Sequence, residues 1–209
     1  MIPKFRFFLL LDRISSGVDQ SVYENIYDLI EHNYSQPTRH YHTMEHVQTC
    51  LDLFEDLYLT CSCPNEIEFA LWYHDVFYDP TAHDNEMRSA HRAYFDGTRL
   101  GVDHTFVDLV ERLILATQHK KDSYADDEAL VVDLDLAILG MDRAKFTAYE
   151  EGIRKEYSFV PEEAFRKGRS DILKGFLARK TIFNTAHFIE KYEDKARENL
   201  RFSIQNLSN

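Results

Sequence analysis

Residues 41–59 read YHTMEHVQTCLDLFEDLYL, and their apolar positions recur with the period of a helix. At about 100° per residue, Met44, Val47, Leu51, Phe54 and Tyr58 fall on one side. Cys50, Leu53 and Leu57 widen that arc, and Glu45, Gln48, Asp52 and Glu55 make the wet face. The spacing predicts an amphipathic helix over 41–59. His42 and His46, four residues apart, would point the same way from the margin of the buried arc. Such a margin is dry enough for strong metal binding and still open to a substrate. It equally suits an ordinary half-buried histidine.

The same period extends along the chain. It predicts further helices over 19–33, 65–78, 84–99, 103–119, 126–139, 142–157, 161–178 and 186–206. The breaks carry turn chemistry: Ser35-Gln36-Pro37-Thr38, Cys63-Pro64-Asn65, Asp79-Pro80-Thr81, Gly101, Gly140 and Val160-Pro161. Pro64 and Pro161 suit helix starts. Val131-Val132 is too short a β-branched run to seed a sheet. With 7 Gly and 5 Pro in 209 residues, tight turns are few. The expectation is an all-α fold in one domain over 1–209, with a core at about 35–140 and a helical extension at about 141–209. A 44% apolar content with 15 Phe and 12 Tyr can fill a core, and Tyr157, Phe159, Phe165 and Phe176 read as part of it.

Charge narrows the function. The chain has 36 acidic and 24 basic residues, a formal net charge of −12, which argues against general nucleic-acid binding. A small phosphorylated substrate stays compatible, because one local cationic group can hold a phosphate inside an acidic protein. Cys50, Cys61 and Cys63 form an odd set without zinc-knuckle spacing, so the expectation is a reduced, cytoplasmic protein. The apolar run Phe7-Phe8-Leu9-Leu10-Leu11 is short and Asp12 follows at once. It reads as a first helix on the core rather than a leader, and no stretch approaches the ~20 apolar residues of a membrane span.

Two His-Asp pairs occur, and context separates them. His74-Asp75 lies between Phe69-Ala70-Leu71-Trp72-Tyr73 and Val76-Phe77-Tyr78. A histidine and a carboxylate buried there must be paired, hydrogen-bonded or metal-bound. His83-Asp84 follows Pro80 in a polar loop, where Asp84 suits a helix N-cap. Asp133-Leu134-Asp135 sits between Leu130-Val131-Val132 and Leu136-Ala137-Ile138-Leu139, so the burial argument applies to both carboxylates. One can ligate a metal while the other orients a ligand histidine; a pair of cap or salt-bridged aspartates is the plainer alternative. His46, His74, Asp75 and one of Asp133 and Asp135 form a candidate metal set. Two His and two Asp suit Mn, Fe, Co or Ni with open positions, and Mg or Zn also fit.

In this order the residues resemble the HD superfamily of metal-dependent phosphohydrolases, whose signature is a His, a His-Asp pair and a distant Asp on helices. The resemblance is carried by Arg39-His40-Tyr41-His42-x-x-x-His46, Trp72-Tyr73-His74-Asp75, Asn85-Glu86-x-x-Ser89-Ala90 and Asp133-Leu134-Asp135-Leu136-Ala137-Ile138-Leu139-Gly140. It continues through Arg179-Lys180-Thr181-Ile182-Phe183 and Glu193-x-x-Ala196-Arg197-x-Asn199-Leu200, covering most of 35–201, and looks closest to small members of undetermined substrate. It implies an HD-type helical bundle, and Asp135 as the ligand, because members often carry Asp-x-Asp here with the second as ligand. Guanosine tetraphosphate hydrolases of the superfamily place Glu where this chain has Tyr78. The His-Asp-x-Gly-x-Pro pattern of cyclic-dinucleotide members is absent too.

The expected chemistry is attack of a metal-activated water on a small phosphorylated metabolite, such as a nucleotide. Asp79, four residues after Asp75, and Glu86 are the acid/base candidates. Turn formation and a first-turn helix acid are their plain alternatives. Arg39, His42, His119 and Lys120 are the candidate substrate-binding residues, with Lys121, Arg169 and Arg179 as unplaced cations. His32, His91, His104 and His187 read as solvated or packing residues. Two rivals stand: a non-catalytic metal- or nucleotide-binding scaffold, and a zinc peptidase using His42-x-x-Glu45-His46. The last fifty residues would cover the site or form a homodimer face.

Overall fold

The computed structural model describes residues 3–15, 17–121 and 124–208. Met1, Ile2 and Ser16, on either side of the apolar run weighed above as a leader, lie outside them. Among the described residues there are ten α-helices and no strand: α1 Pro3–Ile14, α2 Gln20–Tyr34, α3 Met44–Glu55, α4 Pro64–Tyr73, α5 Asn85–Arg99, α6 His104–Ala116, α7 Asp126–Leu136, α8 Arg143–Glu156, α9 Glu162–Ala178 and α10 Ala186–Leu207. Short 3₁₀ turns follow α3 at Tyr58–Thr60 and α7 at Ala137–Gly140. The fold is all-α, and no helix among the described residues is long and apolar enough to cross a membrane.

The bundle is built around α4. Its residues Ile67 to Tyr73 are all buried, and the one charge among them, Glu68, is paired with Arg6 and Arg13 of α1. It packs against α1, α3, α5, α6 and α7. Phe7, Leu10 and Leu11 of α1 are fully buried, and the Phe7 ring meets Trp72 edge-on at 5.0 Å. The N-terminal apolar run is therefore a core helix.

The C-terminal helices are stitched to the centre by side chains that bond backbone. Asn199 donates to the carbonyls of Leu139 and Met141 at 2.8 and 2.9 Å. Glu193 accepts from the amides of Ile182 and Phe183, and Arg197 donates to the carbonyls of Leu177, Arg179 and Lys180. Gly140 allows α10 to pass against the 3₁₀ turn, since a Cβ there would stand 2.5 Å from Tyr192. These contacts tie α10 to the end of α9 and to the 3₁₀ turn after α7.

Candidate metal centre

Where α4 ends is set by residues far away in sequence. The Tyr34 hydroxyl donates to Trp72 O and accepts from the Asp75 amide, both at 3.2 Å. Arg39 donates to the carbonyls of His42, Asp75 and Val76 at 3.2, 2.6 and 2.9 Å. With those groups taken, the helix cannot run on to 78 as its apolar pattern suggests. His74 becomes the C-cap and Asp75 falls in the turn beyond it.

Three helix C-termini and one N-terminal turn meet here. His46 lies in the first turn of α3, His74 at the end of α4, and Asp135 in the last turn of α7. His119 follows α6 at a φ of 55°, a left-handed conformation that turns its ring back toward Asp135. The partial negative charge at helix C-termini favours a cation among them.

His46, His74, Asp75 and Asp135 each offer a ligand atom, all within 4.8 Å of one another. The two Nε2 atoms face each other at 3.0 Å. His46 Nε2 is 3.2 Å from Asp135 Oδ1, and His74 Nε2 is 3.2 Å from Asp75 Oδ2. Ligand atoms each about 2.1 Å from one ion lie about 3 to 4 Å apart, the range of the His46–His74, His46–Asp135 and His74–Asp75 separations. His74 Nδ1 stands 2.9 Å from Leu71 O, which fixes that nitrogen as the donor and turns Nε2 toward the cluster.

The electrostatics agree with a site made for positive charge. Burial opposes a charge on His74, yet Asp75 and Asp135 hold its pKa up at about 9. Burial lowers the pKa of His46, helped by the facing His74. Burial would raise Asp75 and Asp135, but the neighbouring histidines hold both below the usual carboxylate range.

Beside the cluster opens a cavity of about 710 Å³ whose lining includes Asp135, His42, His119 and Arg179. His42 belongs to the loop before α3, because that helix starts at Met44 rather than 41. Its Nδ1 lies 2.7 Å from Glu156 Oε2 and its ring stacks on Tyr78 at 3.9 Å. Glu156, the last residue of α8, also accepts the amides of His40, Tyr41 and His42 at 2.8, 2.8 and 3.0 Å. Burial works against its charge, but the bond to His42 and that cation hold its pKa down at about 2. Burial likewise opposes a charge on His42, and the negative charges of Asp75 and Glu156 raise its pKa above the usual imidazole value. Gly152 lets α8 approach this closely, since a Cβ there would press His40 O at 3.1 Å.

Several residues singled out in the sequence stand elsewhere. Asp79 is exposed, because α4 has ended before it, and its carboxylate caps Thr81 at 2.8 Å. Glu86, in the first turn of α5, does not line the cavity. Lys120 is exposed and also outside the lining, and Arg39 is occupied by the three carbonyls. Asp133 orients no ligand histidine: it binds the amides and side chains of Asn184 and Thr185 ahead of α10. Glu45 is exposed, and His42 is held by Glu156, so His42-x-x-Glu45-His46 does not form a zinc triad. Phe165 is buried and Phe176 packs against the core, as expected, while both also line the cavity with Tyr157, and Phe159 is exposed. His32, His91, His104 and His187 are exposed.

Glu156 and Tyr149 had no signal in the sequence. Glu156 closes a helix 114 residues from His42, and only the folded chain brings them together. No protein-family model, curated protein or solved structure matches this chain.

Proposed function

We propose that the protein is a metal-dependent phosphohydrolase of HD type, acting on a small phosphorylated metabolite. The observation that carries this reading is the four-residue cluster His46, His74, Asp75 and Asp135 at the edge of a substrate-sized cavity. A divalent ion there would polarise a phosphoryl oxygen and make a water acidic enough to attack phosphorus. Mn, Fe, Co or Ni suits two imidazoles and two carboxylates that leave coordination positions open.

The chain's own residues supply the rest. His119 donates from Nε2 to Asp135 Oδ2 across 2.9 Å and orients that carboxylate. His42 donates its Nδ1 proton to Glu156, which leaves Nε2 as the atom that takes up and gives back the ring's second proton, on a residue of the cavity wall. A histidine held this way by a carboxylate is suited to protonate the leaving oxygen, a part for which Asp79 and Glu86 are badly placed. Arg39 binds no substrate in this reading. It holds the turn that presents Asp75.

The test is phosphate release from a panel of phosphomonoesters, nucleotides and diesters by metal-stripped protein given Mn, Co, Ni, Mg or Zn in turn. Turnover that needs the metal and disappears in Asp75→Ala is the expected result. Absence of turnover in protein shown to bind metal would favour a non-catalytic binding role.

A further inference from the structure

The cavity is chemically lopsided. Asp135 of the cluster lines it together with His42, His119 and Gln118, while Tyr149, Tyr157, Phe165, Phe176, Ile153 and Ile172 make an aromatic and aliphatic part of the wall. Two arginines reach the lining. Arg169 is buried and engaged, with Nε 3.2 Å from Glu150 and Nη2 2.6 Å from the Tyr149 hydroxyl. Arg179 lies over the Phe176 ring at 4.7 Å and donates through Nη2 to His119 O at 3.2 Å. Among the described residues no carboxylate pairs with it. His119 in turn contacts Asp135, so Arg179 stands one residue away from the cluster. Lys120 and Lys121 are outside the lining, and Lys121 is tied to Glu128 at 2.7 Å.

Charge balance then selects a substrate class. A divalent ion offsets Asp75 and Asp135, which leaves Arg179 as the cavity's uncommitted cation. One phosphate dianion shared between the ion and an arginine fork is well matched. A second or third phosphate would find no further uncommitted cation, since Arg169 is taken by Glu150 and Tyr149, and unpaired charge is costly there. An aromatic ring would pack face or edge against the tyrosines and phenylalanines of the wall.

We propose that the cavity takes the phosphomonoester of an alcohol bearing an aromatic ring, with Arg179 as the phosphate anchor. This rests on the phosphohydrolase reading of the cluster. In the reaction, the ester P–O bond breaks, water contributes its oxygen to phosphorus and its proton to the departing alkoxide, and alcohol and inorganic phosphate result.

Binding can be separated from turnover with phosphonates, which the enzyme cannot cleave. Benzylphosphonate, methylphosphonate, hexylphosphonate and methylenediphosphonate are titrated calorimetrically into the full-length Mn-loaded protein. Benzylphosphonate should bind at least about tenfold tighter than methylphosphonate, from the ring area it buries, and tighter than hexylphosphonate, whose chain loses more rotational freedom, and than methylenediphosphonate. Arg179→Met should weaken it at least about tenfold, the size of a lost charge-assisted bond, and Arg179→Lys should recover part of that. Unchanged Mn affinity and melting temperature show the variants to be folded. Equal or tighter binding of methylenediphosphonate or hexylphosphonate, or an Arg179→Met protein that binds as wild type does, overturns the proposal. If benzylphosphonate binds as expected while no phosphomonoester is hydrolysed, the ligand class stands and the hydrolase reading fails.

Discussion

Asp133 and Asp135 lie two positions apart on α7 and do opposite work. Asp133 is buried and takes two backbone amides, an Asn184 side-chain amide and a Thr185 hydroxyl. Asp135 faces His46 and His119 at the cavity. Removing each should therefore separate stability from metal binding. Asp133→Ala should destabilise the fold by about 3 kcal/mol, because charged acceptors of several hydrogen bonds leave orphaned donors behind, with Mn affinity nearly kept. Asp135→Ala should melt near the wild-type temperature and lose Mn affinity at least about tenfold. Chemical denaturation and Mn titration on both variants check this, and a result in which both lose the same property would contradict the assignment. The sequence could not divide these roles, because an apolar flank predicts burial for both and names no partner for either. The partners of Asp133 come from residues 184–185, about fifty positions on.

At the scale of elements, the apolar period located the helices well and their ends less well. The 41–59 and 65–78 spans both overran, because the groups that stop α4 are Tyr34 and Arg39, and the loop before α3 is pinned by Glu156. A boundary fixed by a distant side chain leaves no local mark. Glu156 joins α8 to this loop, and its pH behaviour exposes the joint. Its folded pKa is about 2 against an ordinary 4.5, so its stabilisation is complete above 4.5 and disappears as pH falls from there through about 2. Glu156→Gln keeps an acceptor for the amides but loses the charge opposite His42. Its destabilisation relative to wild type, about 2 kcal/mol for a buried charged bond, should be seen near pH 6 and shrink steadily below 4.5. Urea unfolding across that range measures the gap; a gap constant down to pH 2 would show that the charge is unimportant.

For the molecule as a whole, the order of ligands in the chain is what makes the site informative. Residues 46, 74–75 and 135 belong to α3, the end of α4 and α7, so one ion would tie three helices spread over about ninety residues of sequence. The hydrophobic core does not depend on that ion. Phe7, Leu10, Trp72 and Leu113 are fully buried with packing contacts of their own, far from any ligand role. Metal should consequently add to a fold that already stands, unlike a structural zinc site whose loss unfolds the chain. At a free Mn concentration about a hundredfold above Kd, binding contributes about 2.7 kcal/mol. For a chain of this length that raises Tm by about 5–10 °C. Chelator-treated protein should retain its helical circular dichroism and a cooperative transition, and Asp75→Ala should show no shift on adding Mn. Loss of helicity with the metal would instead make the ion a structural support. In that case the open, water-activating role proposed for it would need the fold to be rebuilt around each exchange of metal, which an exchangeable catalytic site does not require.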